Sequence, residues 1–333
     1  MKRITLAHGG GGRVTRNLLK DIFYPLLDNE YLRGETDAAV LPASDRPLAF
    51  TTDAHVVNPL FFPGGDIGRL AVYGTANDLA VMGAEPQYLT LGCIIEEGMP
   101  VDDLKRVVAS IADAARDANV KVVAGDTKVV GTGAADGLFL CSAGVGTLLP
   151  HAPSGAQTIQ PSDAVIVSGP IGDHGATIFA ARQSGMHIDV ISDCAPIFPL
   201  VQAAMKASSQ IRVMRDPTRG GLGAALNEFI ENGSVSIELN AGAIPVRPAV
   251  QSLCDLMGFE PMHLACEGRL VIIVAAEDAE AVLQALRSVK GGESAAIIGR
   301  VDTAHPGMVY QRTPVGGKRI VDMPSGELLP RIC

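Results

Sequence analysis

Residues 66–95 read DIGRLAVYGTANDLAVMGAEPQYLTLGCII. The first part predicts a helix over 66–83, opened by an Asp66 cap and stopped by Gly83. The apolar run 86–95 predicts a strand directly after it. A helix feeding a strand in this way is an α/β unit, and the same alternation extends in both directions. Upstream, ITLA at 4–7 is strand-like. Val14, Leu18, Leu19, Ile22, Phe23 and Leu26 recur at helical spacing, so 13–27 reads as an amphipathic helix, and RPLAFTTDAHVV at 46–57 reads as a strand running into a loop. Downstream come a periodic helix over 101–118 and strands at 120–125 and 137–148.

LPHAPSGAQTIQPSD, residues 149–163, is rich in Pro, Ser and Gly and marks a linker. A second α/β pattern follows, with strands at AVIVSG, RLVIIVA and AAIIGRV. Its helices are expected at 173–185, 196–207, after DPTRGG, at 246–257 and at 277–289. After about residue 308 the chain changes character, to a strand or two and then a tail. The domain expectation is therefore 1–150, 160–308 and a flexible tail over 309–333. The length of 333 residues suits two domains.

Apolar residues make up 47% of the chain and charged residues 19%, the balance of a globular protein. The net charge of −9 comes with no basic stripe, which argues against nucleic acid as a partner. No run of about 18 apolar residues exists, and MKRITLAHGGGG lacks a signal-peptide core, so the expected setting is cytoplasmic, with no membrane partner. Six cysteines and seven scattered histidines show no zinc spacing. Cys93 and Cys141, in apolar runs, read as inert core residues. Cys333 is different, because it is the last letter of the sequence, where a thiol adds nothing to a core.

The chemistry-bearing pattern is a set of aspartates beside small residues: Asp37, Asp53, Asp78, Asp126 and Asp216. Each alone also fits a cap or a turn. Together they are hard oxygen ligands of the kind Mg²⁺ uses when it also binds phosphates. The glycines beside them let backbone N–H groups approach phosphate oxygens. Neither a P-loop nor a dinucleotide fingerprint is present.

In order, TDAAVL, TTDAH, NDLAVMGA, GDT and DPTRGG resemble the motifs of the aminoimidazole ribonucleotide synthetase (PurM-like) superfamily. HGGGG at 8–12, GDTKVV at 125–130, CEGRL at 266–270 and above all PRIC at 330–333 resemble one branch, the HypE carbamoyl dehydratases of hydrogenase maturation. The resemblance implies a PurM-like two-domain α/β (α+β) fold. The N-terminal domains would pair into a β-barrel across a homodimer, beside a C-terminal α/β domain and a mobile tail.

It implies ATP and Mg²⁺ as cofactors, HypF as carbamoyl donor and a HypC–HypD complex as cyanide acceptor. Cys333 would carry a carbamoyl group that ATP-dependent dehydration turns into a thiocyanate. Asp37, Asp53, Asp78, Asp126 and Asp216 would hold Mg²⁺. Asn77, Gly125, Thr127, Arg219, His8 and Gly10 are the nucleotide or phosphate candidates. Glu267 is the candidate base, against the plainer reading of a surface glutamate paired with Arg269. Lys128 is the candidate phosphoryl or carbamoyl contact, against that of an exposed turn lysine. From Gly316 to Cys333 the tail reaches at most about 55–60 Å at ~3.3 Å per residue. Gly316, Gly317 and Gly326 act as hinges, and Pro324 and Pro330 as stiffeners. The rivals are a small-molecule kinase, indifferent to loss of Cys333, and a scaffold that consumes no ATP.

Overall fold

The structure is a computed structural model that describes residues 3–10, 12–34, 38–231, 233–313, 316–324, 326, 329 and 331–333. Asp37 and Pro330 lie outside the described residues. The chain forms two units: Met1–Leu79, Glu85–Leu148 and Cys333 make the first, and Ala80–Ala84 and Leu149–Ile332 the second.

The first unit opens with α1 (Arg13–Leu18) and α2 (Tyr24–Leu27), joined by a π-helical turn over Leu19–Phe23. The helix expected over 13–27 is therefore present but locally widened. Pro25 supplies the reason, since it cannot donate to the Asp21 carbonyl and its ring crowds that oxygen. Next come β1 (Leu48–His55), β2 (Phe61–Phe62), β3 (Gly65–Asp66), α3 (Ile67–Val81), β4 (Ala84–Glu96), α4 (Val101–Asp117), β5 (Lys121–Val130) and β6 (Leu138–Leu148).

The anticipated cap of α3 is in place: Asp66 Oδ1 accepts the Arg69 N–H at 3.0 Å and the Ser110 hydroxyl at 2.8 Å. Gly83 stops the helix with φ +73, in the left-handed region that glycine tolerates. Residues 4–7 are no strand. Arg3 makes a single bridge to Pro100, and a 3₁₀ turn over Leu6–Gly9 follows. Thr5 and His8 form a capping box that commits these residues to the turn.

The sheet of this unit runs β1-β6-β4-β5. Asp53 lies opposite Ser142 in the antiparallel β1/β6 pair, and Gly92 lies opposite Asp126 in the parallel β4/β5 pair, which α4 joins. Alternate residues of β4, Leu89, Leu91, Cys93 and Ile95, are buried. Burying a side chain of this size contributes about 1.5–3 kcal/mol. On β1 the alternate set is uncovered: Leu48 is 59% and Phe50 72% exposed.

The second unit contains β7 (Ala164–Val167), α5 (Asp173–Arg182), α6 (Phe198–Ala207), β8 (Ile211–Arg215), α7 (Gly221–Ile230), β9 (Ser236–Asn240), α8 (Pro248–Met257), β10 (Val271–Val274), α9 (Ala279–Arg287), β11 (Ala296–Asp302), β12 (Val309–Arg312) and β13 (Lys318–Ile320). Its sheet runs β13-β12-β9-β11-β7-β10-β8. β7 and β10 are buried on both faces, which is why they read as unbroken apolar runs. Val165, Val167, Val271 and Ile273 join α7 in one core. Ala164, Ile166, Ile272 and Val274 join α6 and α9 in the other. Among the described residues no helix is long and apolar enough to cross a membrane.

Candidate functional site

In the first unit the expected residues fall into two groups. One forms where β1 crosses α3. Asp53 is half-buried, with Oδ1 accepting the Ala54 N–H at 2.8 Å and Oδ2 lying 3.4 Å from His55 Nε2. Asp78 Oδ2 accepts the Thr51 hydroxyl at 3.0 Å, and its neighbour Asn77 is buried. Gly74 makes the crossing possible, since a Cβ there would stand 3.1 Å from His55 Cε1 and 3.2 Å from Asp53 Oδ2. A glycine inside a helix costs ~1 kcal/mol relative to alanine, and this close approach accounts for it.

Sequence reasoning missed the buried polar chain beneath these carboxylates. His55 Nε2 lies 3.3 Å from Ser142 Oγ, which lies 2.5 Å from Thr75 Oγ1. The Thr75 hydroxyl donates to the Ala71 carbonyl at 2.9 Å. Asp, His and Ser stand together here, but Asp53 and Ser142 both approach His55 on the same nitrogen, Nε2, at 3.4 and 3.3 Å. A nucleophile relay uses the two ring nitrogens separately, so Asp53, His55 and Ser142 do not form one.

The other group is on β5. Gly125 is needed for close packing, because a Cβ would stand 2.9 Å from the Leu91 carbonyl oxygen. Asp126 Oδ1 accepts the Thr127 N–H at 2.8 Å, and Oδ2 pairs with Lys128 Nζ at 3.5 Å. That pair is solvent-exposed, at 72% and 67%, so it is worth at most about 1 kcal/mol and both groups remain accessible to a ligand. Lys128 is on a strand and not in a turn. The glycine-rich start packs here: a Cβ on Gly9 would stand 2.5 Å from the Val129 backbone nitrogen. His8 Nδ1 accepts the Thr5 N–H at 3.0 Å, and Gly10 is exposed. A cavity of about 110 Å³ lies alongside, with apolar walls from Leu19, Phe23, Leu27 and Tyr31 and a polar edge of Gly125, Asp126 and Thr127.

β6 and β4 separate the two groups, so Asp53 and Asp126 stand ~14 Å apart at ~4.8 Å per strand. Among the described residues no three His, Cys, Asp or Glu side chains gather around a common point. The donor chemistry nevertheless fits Mg²⁺, which takes one or two carboxylates and completes its shell with water and phosphate oxygens. Cys333 belongs to this unit, half-exposed, its carbonyl accepting the Val56 N–H at 3.0 Å just past the end of β1. Cys93 is buried as expected, its thiol pushed up to about 12 by desolvation. Cys141 is instead exposed, because it lies on the same uncovered sheet face as Phe50.

The remaining candidates are in the second unit. Asp216 is buried at the end of β8, and Arg219 is exposed. The DPTRGG turn is closed by Thr218 N–H to the Asp216 carbonyl at 3.0 Å and Gly221 N–H to the Thr218 carbonyl at 2.8 Å. Gly220 and Gly221 have φ +79 and +64, and at Gly221 a Cβ would meet the Met262 carbonyl at 2.5 Å.

Glu267 is 4% exposed, so it is no surface glutamate. Nor is Arg269 its partner. Arg269 donates to the Pro170 carbonyl at 2.8 Å and the Gly291 carbonyl at 3.2 Å, and pairs with Asp193 at 3.4 Å and Asp173 at 3.5 Å. Asp193 fixes the CEGRL backbone, its two oxygens taking the Glu267 and Gly268 N–H groups at 3.1 and 3.3 Å. Burial raises the Asp173 carboxyl above the ordinary range, against the opposing pull of Arg247. Asp173, Asp193 and Arg247 carried no motif signal, and only the fold reveals their convergence.

The chain matches the family models of AIR synthase related protein, N-terminal domain, over residues 35–148 and C-terminal domain over 160–310. It is 46% identical to the carbamoyl dehydratase HypE of Rhodobacter capsulatus over 336 residues, covering 100% of this chain and 98% of that one. It resembles the crystal structure of hydrogenase maturation protein HypE in complex with ATP, with a TM-score of 0.94 and 44% identity over 99% of each chain. It also resembles a chain of a HypE–HypF complex, with a TM-score of 0.80 and 43% identity over 92% of this chain and 99% of that one. The chain belongs to the HypE carbamoyl dehydratase family of AIR synthase-related proteins.

Proposed function

We propose that this chain is an ATP-dependent carbamoyl dehydratase, a lyase that converts an S-carbamoyl group on its own Cys333 into a thiocyanate. The product supplies the cyanide ligand for the iron of [NiFe]-hydrogenase. The full-length identity of 46% to a HypE carbamoyl dehydratase carries this reading. The position of Cys333 beside the end of β1, three residues from Asp53, supports it.

An amide oxygen is a poor leaving group. Its attack on the γ-phosphorus of ATP forms a new O–P bond and breaks the bond to ADP. The phosphorylated oxygen then departs as phosphate with the C–O electron pair. Nitrogen loses its two protons, one to Glu267 and one to solvent, and S–C≡N remains. Glu267 is buried, so a proton-accepting role there is shielded from bulk water. Lys128 meets the transferring phosphoryl group or the carbamoyl oxygen as a point charge.

Asn77, Gly125, Thr127, Arg219, His8 and Gly10 position the nucleotide, and the apolar-walled cavity beside β5 suits an adenine. Asp53, Asp78, Asp126 and Asp216, with Asp37, are the carboxylates that would hold Mg²⁺, whose charge would offset that of the phosphates. The working domains are 1–150 and 160–308. The tail expected over 309–333 is not wholly free, because β12 and β13 join the second domain's sheet and Val309 and Val321 its core. The arm that presents Cys333 to its partners in the cytoplasm is therefore the stretch after Val321. Those partners are HypF as carbamoyl donor and HypC–HypD as cyanide acceptor. A second copy covers the open face of β1, closing a barrel over Leu48 and Phe50.

Mass spectrometry of the C-terminal peptide tests the reading. Incubated with HypF as carbamoyl donor and Mg-ATP, the chain should gain a carbamoyl group on Cys333 and then lose one water from it. Cys333→Ala should show neither change while binding ATP as before. A Cys333→Ala chain that still acquires the modification would overturn the assignment.

A further inference from the structure

Within the second unit, the residues before Cys333 are held by their backbone. His174 is completely buried on α5, and its Nε2 lies 2.7 Å from the Ile332 carbonyl oxygen. A carbonyl only accepts, so Nε2 carries the proton and donates it. The other ring nitrogen, Nδ1, lies 2.8 Å from Ser192 Oγ, and that hydroxyl oxygen accepts the Cys194 N–H at 3.2 Å. Burial keeps the imidazole neutral, so the Ser192 hydroxyl donates to Nδ1. The result is a directed chain from the Cys194 N–H through the Ser192 hydroxyl and the His174 ring to Ile332, which fixes the tautomer that can hold the carbonyl.

About two turns further along, at the last residue of α5, the Arg182 guanidinium donates to the Arg331 carbonyl. The held segment is not relaxed. Arg331 has φ +57, a left-handed conformation that a residue with a Cβ keeps only when its surroundings impose it. The Leu329 and Ile332 side chains are 9% and 5% exposed and help wall a cavity with Ala224, His263 and Pro324.

We propose that His174, oriented by Ser192 and assisted by Arg182, is the positioning residue that docks the chain end by its backbone carbonyls, and that these bonds set the ratio of docked to released tail. The proposal rests on the dehydratase reading for its purpose and on these contacts for its existence. A hold on carbonyls is indifferent to what the thiol carries. It therefore serves the free, carbamoylated and cyanated forms alike, and it opens without touching the reacting atoms.

Carboxypeptidase Y digestion of the folded 333-residue chain tests it. Cleavage of the Ile332–Cys333 bond requires the carbonyl that His174 holds. Release of Cys333 is followed by intact mass, without ATP or carbamoyl donor, and thermal melting checks each variant for folding. His174→Phe and Arg182→Ala should each release Cys333 about three- to tenfold faster than wild type, the worth of one net hydrogen bond. His174→Gln, whose amide nitrogen reaches the place of Nε2, should restore a rate near wild type.

Wild-type rates in folded His174→Phe and Arg182→Ala, or a Gln variant as fast as the Phe variant, would overturn the proposal. Should His174→Phe fail to fold, Ser192→Ala and Arg182→Ala decide it: faster release supports the clamp, and a wild-type rate refutes it. A chain that passes this test yet makes no thiocyanate overturns the dehydratase reading and leaves the clamp standing.

Discussion

Gly268→Ala is the sharpest perturbation the structure offers, because it acts on the proposed base without touching it. A Cβ on Gly268 would stand 1.9 Å from the Asp193 carbonyl oxygen and 3.0 Å from its carbon. Carbon and oxygen make van der Waals contact near ~3.4 Å, so one backbone must yield by about 1.5 Å. Neither is a flexible side-chain end. The movement pulls the Glu267 and Gly268 N–H groups from the Asp193 carboxylate, which now takes them at 3.1 and 3.3 Å. It also disturbs the Arg269–Asp193 pair at 3.4 Å. Overpacking costs about 1–3 kcal/mol, and lost bonds to a buried carboxylate place this case at the upper end, about 3 kcal/mol. A shift of about 1 Å in Glu267 costs roughly 100-fold in rate. Urea unfolding and single-turnover thiocyanate formation read the two effects. A Gly268→Ala chain with wild-type stability and rate would refute both the packing argument and the role of Glu267.

Asp126→Asn removes an exposed carboxylate, so stability should change by no more than about 0.5 kcal/mol while ATP-dependent dehydration falls by at least tenfold, measured by melting and by phosphate release. If the proposed dimer forms over this face, Phe50→Asp should abolish it in light-scattering chromatography and speed alkylation of Cys141, which shares the open sheet face. Arg312 and then Arg300 hold the Glu238 carboxyl below its ordinary 4.5, so its stabilisation is complete above that pH and is lost as pH falls toward the lowered value. Glu238→Gln should therefore cost about 1–2 kcal/mol at pH 7, and urea midpoints of the two proteins should converge on acidification below pH ~4.5.

Most of the α/β alternation was legible because its elements carry strong local signals. The α3 cap at Asp66, the stop at Gly83 and the doubly buried β7 and β10 are examples. β8 and β9 were not legible. Ile211–Arg215 carries two arginines, and Ser236–Asn240 has Glu238 at its centre. Glu238 is tolerable there only because Arg300 on β11 and Arg312 on β12 reach it at 3.0 and 2.5 Å, a pairing made by the tertiary fold.

The same limit applies to the site. GDTKVV and CEGRL pointed to β5 and to Glu267, but the supports came from elsewhere in the chain. Ser142 lies 87 residues from His55 and Ile332 lies 158 from His174. No local pattern encodes such pairs. The two apolar cysteine runs looked alike, yet Cys93 faces the buried side of the sheet and Cys141 the open one.

In the proposed dehydration the carbamoyl oxygen leaves Cys333 on phosphorus. Loading the chain with ¹⁸O-labelled carbamoyl and following one turnover with unlabelled ATP tests it most directly. Each phosphate released should carry the heavy oxygen while Cys333 becomes the thiocyanate. Heavy oxygen found in water, with the phosphate unlabelled, would contradict it.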